Sequence, residues 1–253
     1  MSEPGLPTIL GLDCGWLITQ QRTLVSGGKT DEIKIPIPSW LVRHPRGDVL
    51  FDTGLHTGLA DGPESLGSMS KLFRAELAFG GTIGPRLVEQ GVDPASTLTV
   101  VLSHGHFDHV GGLGELPNAR LVVHRDEWAA ITSDAAGGYD RSLCVLGHDV
   151  LAVDGPHDLF GDGLVETVPT PGHTCGHQSL RVITSDGPVI LTADACYFTH
   201  TIDDEVLPPF AFDADQQLRS LAMLHRERDA GTTIVPGHDT DAFLRYAATP
   251  DPA

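Results

Sequence analysis

The segment Ser103-His104-Gly105-His106-Phe107-Asp108-His109 constrains this chain more than any other stretch of it. Four candidate metal ligands (His104, His106, Asp108 and His109) fall within six residues. The run before them, Leu98-Thr99-Val100-Val101-Leu102, is apolar and rich in β-branched side chains, so it reads as a buried strand. Gly111-Gly112 follows the ligands closely. They therefore belong to a tight loop at a strand's carboxyl end, where α/β proteins usually place their chemistry. Side chains alternate faces in an extended segment, so His104 and His106 can point the same way. The turn beyond can bring Asp108 and His109 round to a second point. One loop can thus feed two adjacent metal ions.

Three further segments share one form, an apolar run ending in a small-residue turn that carries His or Asp. Residues 165–170 lead to Pro171-Gly172-His173-Thr174, residues 189–193 to Asp194, and Ile234-Val235 to Pro236-Gly237-His238-Asp239. If the preceding strands share one edge, these loops converge with the first. The set is then His104, His106, Asp108, His109, His173, Asp194 and His238. Nitrogen-rich ligands with carboxylates fit zinc, with manganese, iron or cobalt left open. We expect two divalent metal ions per chain. His104, His106 and His173 go to one ion, Asp108, His109 and His238 to the other, and Asp194 bridges them. Two dications outweigh two carboxylates and a bridging hydroxide, so the site stays positive. Metal binding lowers the pKa of water from about 15.7 to near 7, so a bridging hydroxide can attack a carbonyl at neutral pH. The same charge then stabilises the tetrahedral oxyanion.

Bulk properties exclude several partners. The net charge is −18, from 34 acidic and 16 basic residues. Phosphate backbones and anionic membranes both need Lys and Arg, so nucleic-acid and membrane partners are not expected. No apolar stretch approaches the roughly 18 to 20 residues of a membrane span. The first residues lack the basic start and apolar core of a signal peptide. Four cysteines (Cys14, Cys144, Cys175 and Cys196) show no CxxC spacing and are too few for a disulfide scaffold. A cytoplasmic protein with reduced thiols is the expectation. Cys175 and Cys196 each lie two residues from a candidate ligand and are read as packing residues.

The 253 residues show no repeat or long linker, so one domain covering 1–253 is expected. Strand-like runs fall at 33–37, 40–43, 49–51, 97–102, 120–123, 164–168, 189–192 and 232–235. Helix-like stretches fall at 65–90, broken by Gly80-Gly81, and at 125–132 and 213–228. Asp213 is placed to cap the last helix and Gly231 to stop it. Two sheets packed face to face with helices outside satisfy this pattern. Residues 134–149 and 199–212 read as long surface loops and as candidate pocket walls.

The SHGHFDH loop, TPGHT, the TAD segment and the terminal VPGHD resemble, in order, the motifs of the metallo-β-lactamase superfamily. The resemblance spans residues 49–239. It implies the family's α/β fold, an αββα four-layer sandwich of two mixed sheets. Val49-Leu50-Phe51-Asp52-Thr53-Gly54 is similar to the family's early DTG turn, whose Asp supports the site without binding metal. His106 argues against the diiron flavoproteins, which carry Glu there, and Asp194 against the class B β-lactamases, which lack that carboxylate. The acidity argues against the RNA-processing branch, and the single Arg in DAFLRYAATPDPA against glyoxalase II.

Asp194-Ala195-Cys196-Tyr197 resembles the N-acyl homoserine lactonase branch, as does the hairpin-like KIPIPSWLVRHPRGDVLFDTG. That resemblance implies a zinc lactonase of quorum-quenching type acting on a small-molecule lactone. In such enzymes the residue matching Tyr197 hydrogen-bonds the substrate, and the one matching Asp108 shuttles a proton to the leaving alkoxide. Asp108 and Tyr197 are thus the candidate catalytic residues. Another lactone, an aryl ester or an organophosphate is the alternative substrate, and a non-catalytic metal-binding protein the alternative class. A homodimer is left open. Asp239 and His177 neighbour ligands and are candidates for orienting them. Trp16, Met69, Leu72, Phe73, Phe198, Leu207, Phe210 and Phe212 are candidates for an acyl pocket.

Overall fold

Period-2 alternation in the strands builds the layers of this fold. We describe residues 5–60, 62–78, 80–133 and 139–247 of a computed structural model. One sheet holds β1 (Thr8–Gln20), β2 (Glu32–Arg43), β3 (Val49–Phe51), β4 (Arg74–Glu76), β5 (Thr99–Val101), β6 (Arg120–His124) and β7 (Asp149–Val153). Its order is β4-β1-β2-β3-β5-β6-β7. Pairing is antiparallel from β4 to β3 and parallel from β3 to β7. The second sheet holds β8 (His157–Asp158), β9 (Val165–Pro169), β10 (Gln178–Thr184), β11 (Gly187–Leu191) and β12 (Thr233–Val235). Its order is β12-β11-β10-β9-β8, with β11 and β12 parallel.

Leu50, Val100, Leu121 and Val123 face outward in a buried cluster with Ile83 and Leu87 of the helix Ile83–Glu89 and Ile131 of the helix Arg125–Thr132. Their neighbours Val49, Phe51, Val101 and Val122 face the other way and meet Val165, Leu180, Val182, Val189 and Leu191 between the sheets. On the far side Ile190 packs against Leu221 and Leu224 of the helix Ala214–Asp229. The layers are therefore helix, sheet, sheet, helix, as expected. Every residue of β3 and two of the three in β5 are buried, because these strands are covered on both faces.

Several local expectations need correction. Residues 33–37 and 40–43 form one strand, β2, whose Pro36 and Pro38 sit opposite β1 without ending it. β1 and β10 were not expected. The 65–90 region is not one interrupted helix. It divides into a 3₁₀ segment (Pro63–Lys71) kinked at Gly67, the short strand β4, and the helix Ile83–Glu89. The expected loop at 199–212 contains a helix, Thr199–Asp203. Of the expected loop at 134–149, residues 134–138 lie outside the described residues, and the remainder holds the helix Arg141–Cys144 before β7 begins at Asp149. Asp213 caps Ala214–Asp229 by accepting from Gln216 N, as expected. Among the described residues no helix is long and apolar enough to cross a membrane. The four cysteines are free.

Candidate metal centre and its pocket

The seven histidines and aspartates singled out in the sequence meet at the carboxyl ends of strands from both sheets. They do not line one edge of a single sheet. His104, His106, Asp108 and His109 follow β5, His173 follows β9, Asp194 follows β11 and His238 follows β12. Two groups form: His104, His106, His173 and Asp194 in one, Asp108, His109 and His238 in the other.

Distances define the first group. His106 Nδ1 lies 2.9 Å from His104 Nε2 and 3.0 Å from His173 Nε2. Asp194 Oδ2 lies 3.2 Å from His173 Nε2 and 3.7 Å from His104 Nε2. In the second group Asp194 Oδ1 lies 3.1 Å from both His109 Nε2 and His238 Nε2. Asp108 Oδ2 lies 3.8 Å from His109 Nε2. One carboxylate thus offers one oxygen to each group. Ligands about 2.0–2.2 Å from a tetrahedral ion stand roughly 3.3–3.6 Å apart, so this spacing fits a metal.

Hydrogen bonding favours the same occupant. His238 Nδ1 donates to Pro36 O at 3.0 Å, so in the neutral ring Nε2 turns a bare lone pair toward a carboxylate. His109 Nε2 and Asp194 Oδ1 are buried without a hydrogen-bond partner. Lone pairs facing one another in a dry site need a cation between them. The donor set therefore fits two divalent ions.

Burial pushes His104 and His173 well below the usual imidazole range and lowers His106. These rings are neutral, as ligands must be. Burial opposes charge on His109, yet Asp194, Asp108 and Asp52 outweigh it and hold the ring well above the usual range. His238 is raised against its burial chiefly by Asp194. Burial alone would raise Asp194, but His109, His238 and His173 hold it well below the usual carboxylate range. The second group attracts positive charge more strongly than the first.

Asp52 and Ser103 orient these rings. Asp52 Oδ1 accepts from Ser103 N and Oδ2 from Ser103 Oγ, each at 2.7 Å. The same Oδ2 lies 2.8 Å from His109 Nδ1, and Ser103 Oγ lies 2.9 Å from His104 Nδ1. Asp52 and Ala193 hold left-handed backbone (φ 60° and 44°), strain often found beside functional sites.

A cavity of about 630 Å³ opens above both groups. His106, Asp108, His173, Asp194, Tyr197 and His238 form its floor. Leu24, Ile35, Met69, Leu72, Phe73, Phe107, Phe210 and Phe212 form an apolar wall, with Ser133, Tyr139, Thr174 and Cys175 as a more polar margin. Tyr197 is only 4% exposed, and its hydroxyl lies 3.4 Å from His173 Nδ1. Burial first, then Asp194 and Asp108, push its pKa well up, so the phenol stays protonated. Backbone bonds from Phe212 N to His173 O and from Asp213 N to Gly172 O pin the rim to the His173 turn.

Some expectations do not hold here. Trp16, Phe198 and Leu207 do not line the cavity. Asp239 does not orient His238. Its carboxylate accepts from Thr199 N, Thr199 Oγ1 and Ala242 N, capping the helix Thr240–Leu244. His177 is buried and bonded to Thr170 Oγ1, with its pKa lowered to about 3 by burial, and it belongs to neither group. His148 bonds Leu116 O and His200 stacks on Phe198, both away from the cavity lining. Glu127 was missed, since an acid on a short helix gives no sign of being fully buried. Pro36 O was missed because a backbone acceptor has no sequence signature.

Comparison with known proteins agrees with this geometry. A sequence profile of the metallo-beta-lactamase superfamily matches residues 34–238. The N-acyl homoserine lactonase AttM of Azorhizobium caulinodans is 33% identical over 237 residues, which cover 88% of this chain and 89% of that protein. The N-acyl homoserine lactonase AiiA of Bacillus thuringiensis subsp. kurstaki is 32% identical over 223 residues, 83% of each chain. A solved N-acyl homoserine lactone hydrolase, with the product N-hexanoyl-L-homoserine bound at its catalytic metal centre, matches at a TM-score of 0.87. It is 25% identical and covers 98% of this chain and 99% of that one. With the four-layer architecture and relatives matched over most of their length, the chain belongs to the metallo-beta-lactamase superfamily, in its N-acyl homoserine lactonase-like branch.

Proposed function

We propose that this protein is a dinuclear zinc lactonase that opens the ring of N-acyl homoserine lactones, the substrate class its relatives are named for. The observation that carries this reading is Asp194, whose two oxygens face two ligand groups beneath an apolar cavity beside the Tyr197 hydroxyl. Two divalent ions held there would supply a nucleophilic water at neutral pH and polarise the substrate carbonyl.

The chain's own groups carry the remaining work. The apolar wall receives the acyl chain and keeps bulk water from the reacting ester. Tyr197 stays protonated and donates to the carbonyl or ring oxygen as charge develops there. Ring opening adds one oxygen to the carbonyl carbon and breaks the ring C–O bond. The departing alkoxide then needs a proton. Asp108, buried at the cavity floor, takes the proton that the attacking water gives up and carries it to the alkoxide. The product is the N-acyl homoserine.

Ligands drawn from both sheets support reading the chain as one domain. Free cysteines suit a reducing, cytoplasmic setting.

The test is a substrate panel on protein stripped with a chelator and reloaded with zinc. N-acyl homoserine lactones should give the largest kcat/KM, only in the reloaded form, with one acid equivalent released per ring. A phosphotriester or aryl ester turned over best would reassign the substrate. Tyr197→Phe should lower kcat/KM by about 10- to 100-fold, the worth of one hydrogen bond to a charged group, without changing the metal content. Unchanged turnover would remove Tyr197 from the mechanism.

A further inference from the structure

We propose that Glu127 is a positioning residue for one metal ion only, the one held by His104, His106, His173 and Asp194. Its side chain is fully buried under the metal loops, on the helix Arg125–Thr132. Oε1 accepts from Gly105 N at 2.9 Å. Oε2 accepts from Thr174 Oγ1 at 2.7 Å and from Gly176 N at 3.0 Å.

The origin of these donors decides the argument. Gly105 stands between His104 and His106, and Thr174 and Gly176 follow His173 directly. One carboxylate therefore ties together two loops that are about 70 residues apart and that carry all three imidazoles of one group. Packing fixes the distance between helix and loops. A Cβ on Gly176 would lie 2.3 Å from Glu127 N, and one on Gly105 would lie 2.5 Å from Ile131 Cγ1. Neither loop has room to come closer to the helix. Slackening the hydrogen bonds leaves only outward movement, which spreads the three nitrogens.

The other group is held by different means. His109 is oriented by Asp52 and His238 by Pro36 O. No hydrogen bond from Asp108, His109 or His238 to Glu127 occurs among the described residues. Glu127 thus braces the loops of one group only, whereas Asp52 bonds His109 of the other group directly and reaches His104 only through Ser103 Oγ. Partners that orient ligands typically change metal affinity by about 10- to 100-fold. Losing Glu127 should therefore empty one position before the other.

This inference rests on the two-ion reading above and not on the choice of substrate. The test compares wild type with Glu127→Gln, which keeps the volume but turns an amide NH₂ toward an existing donor. Crystals equilibrated at limiting zinc are measured at the zinc absorption edge, and zinc affinity is titrated in solution against a chromophoric chelator. The position of His104, His106 and His173 should lose about 10- to 100-fold in affinity, and the position of Asp108, His109 and His238 less than about 3-fold. Equal loss at both positions, or full occupancy of both, overturns the proposal. Thr174→Val removes a single donor and provides the measurement if Glu127→Gln fails to fold. It should weaken the same position to a smaller degree, and an effect confined to the other position would also refute the assignment. A wild type that binds fewer than two ions fails at the earlier step, the two-ion reading itself.

Discussion

Asp194→Ala should leave the purified protein with less than one zinc per chain and almost no lactonase activity. The carboxylate is 4% exposed and approaches four imidazoles, His104, His109, His173 and His238. Removing one partner from a buried charge cluster costs about 3–5 kcal/mol, because the groups left behind face each other uncompensated. At 1.36 kcal/mol per decade this is about 10²- to 10⁴-fold in metal affinity, spread over both positions. Elemental analysis and chelator competition measure it. Asp194→Asn keeps one oxygen and should retain part of the binding. Two tightly held ions in Asp194→Ala would refute the shared-carboxylate arrangement.

A second large effect is expected of Asp108→Asn, a drop in kcat of about 10²- to 10⁴-fold, the usual worth of a positioned acid or base. Asp108 is also placed as a ligand, with Oδ2 3.8 Å from His109 Nε2, so loss of turnover alone does not separate its two roles. The leaving group does. A lactone releases an alkoxide, which must be protonated, whereas a thiolactone releases a thiolate whose acid has a pKa near 8.5. If Asp108 delivers the proton, the deficit of Asp108→Asn shrinks on the homoserine thiolactone analogue. An equal deficit on both substrates rejects proton delivery and leaves Asp108 as a ligand.

Much of this site was legible in the chain because its signals are local. A β-branched run followed by His-x-His-x-Asp-His states both the strand and the loop within a dozen residues. The turns bearing His173, Asp194 and His238 repeat that grammar. The division of these side chains into two groups also follows from local geometry, since residues two apart in extended chain share a face. What escaped was either irregular or distant. Gly11, Gly15 and the register shift between Asp13 and Trp16 interrupt the alternation of β1. β10 was readable in principle, since Leu180 and Val182 point into the core while Arg181 does not. Residues 65–90 read as helix broken at Gly80-Gly81, but the first break comes earlier, at Gly67, which adopts positive φ. Asp239 was assigned to its neighbour His238, yet a carboxylate just ahead of a helix caps it more readily.

The sequence by itself determined the ligand types, their order and the strands that present them. Spacing along a chain is set by covalent geometry, and that is fully written in the residues. Tertiary structure alone decided that the loops come from two facing sheets. It also decided that one oxygen of Asp194 serves each group, and that Pro36 O orients His238 from 202 residues away. Glu127 and the apolar wall belong to the same class. These depend on close packing between the two sheets and their outer helices, where burial gives each polar contact its strength, and burial is a property of the assembled molecule.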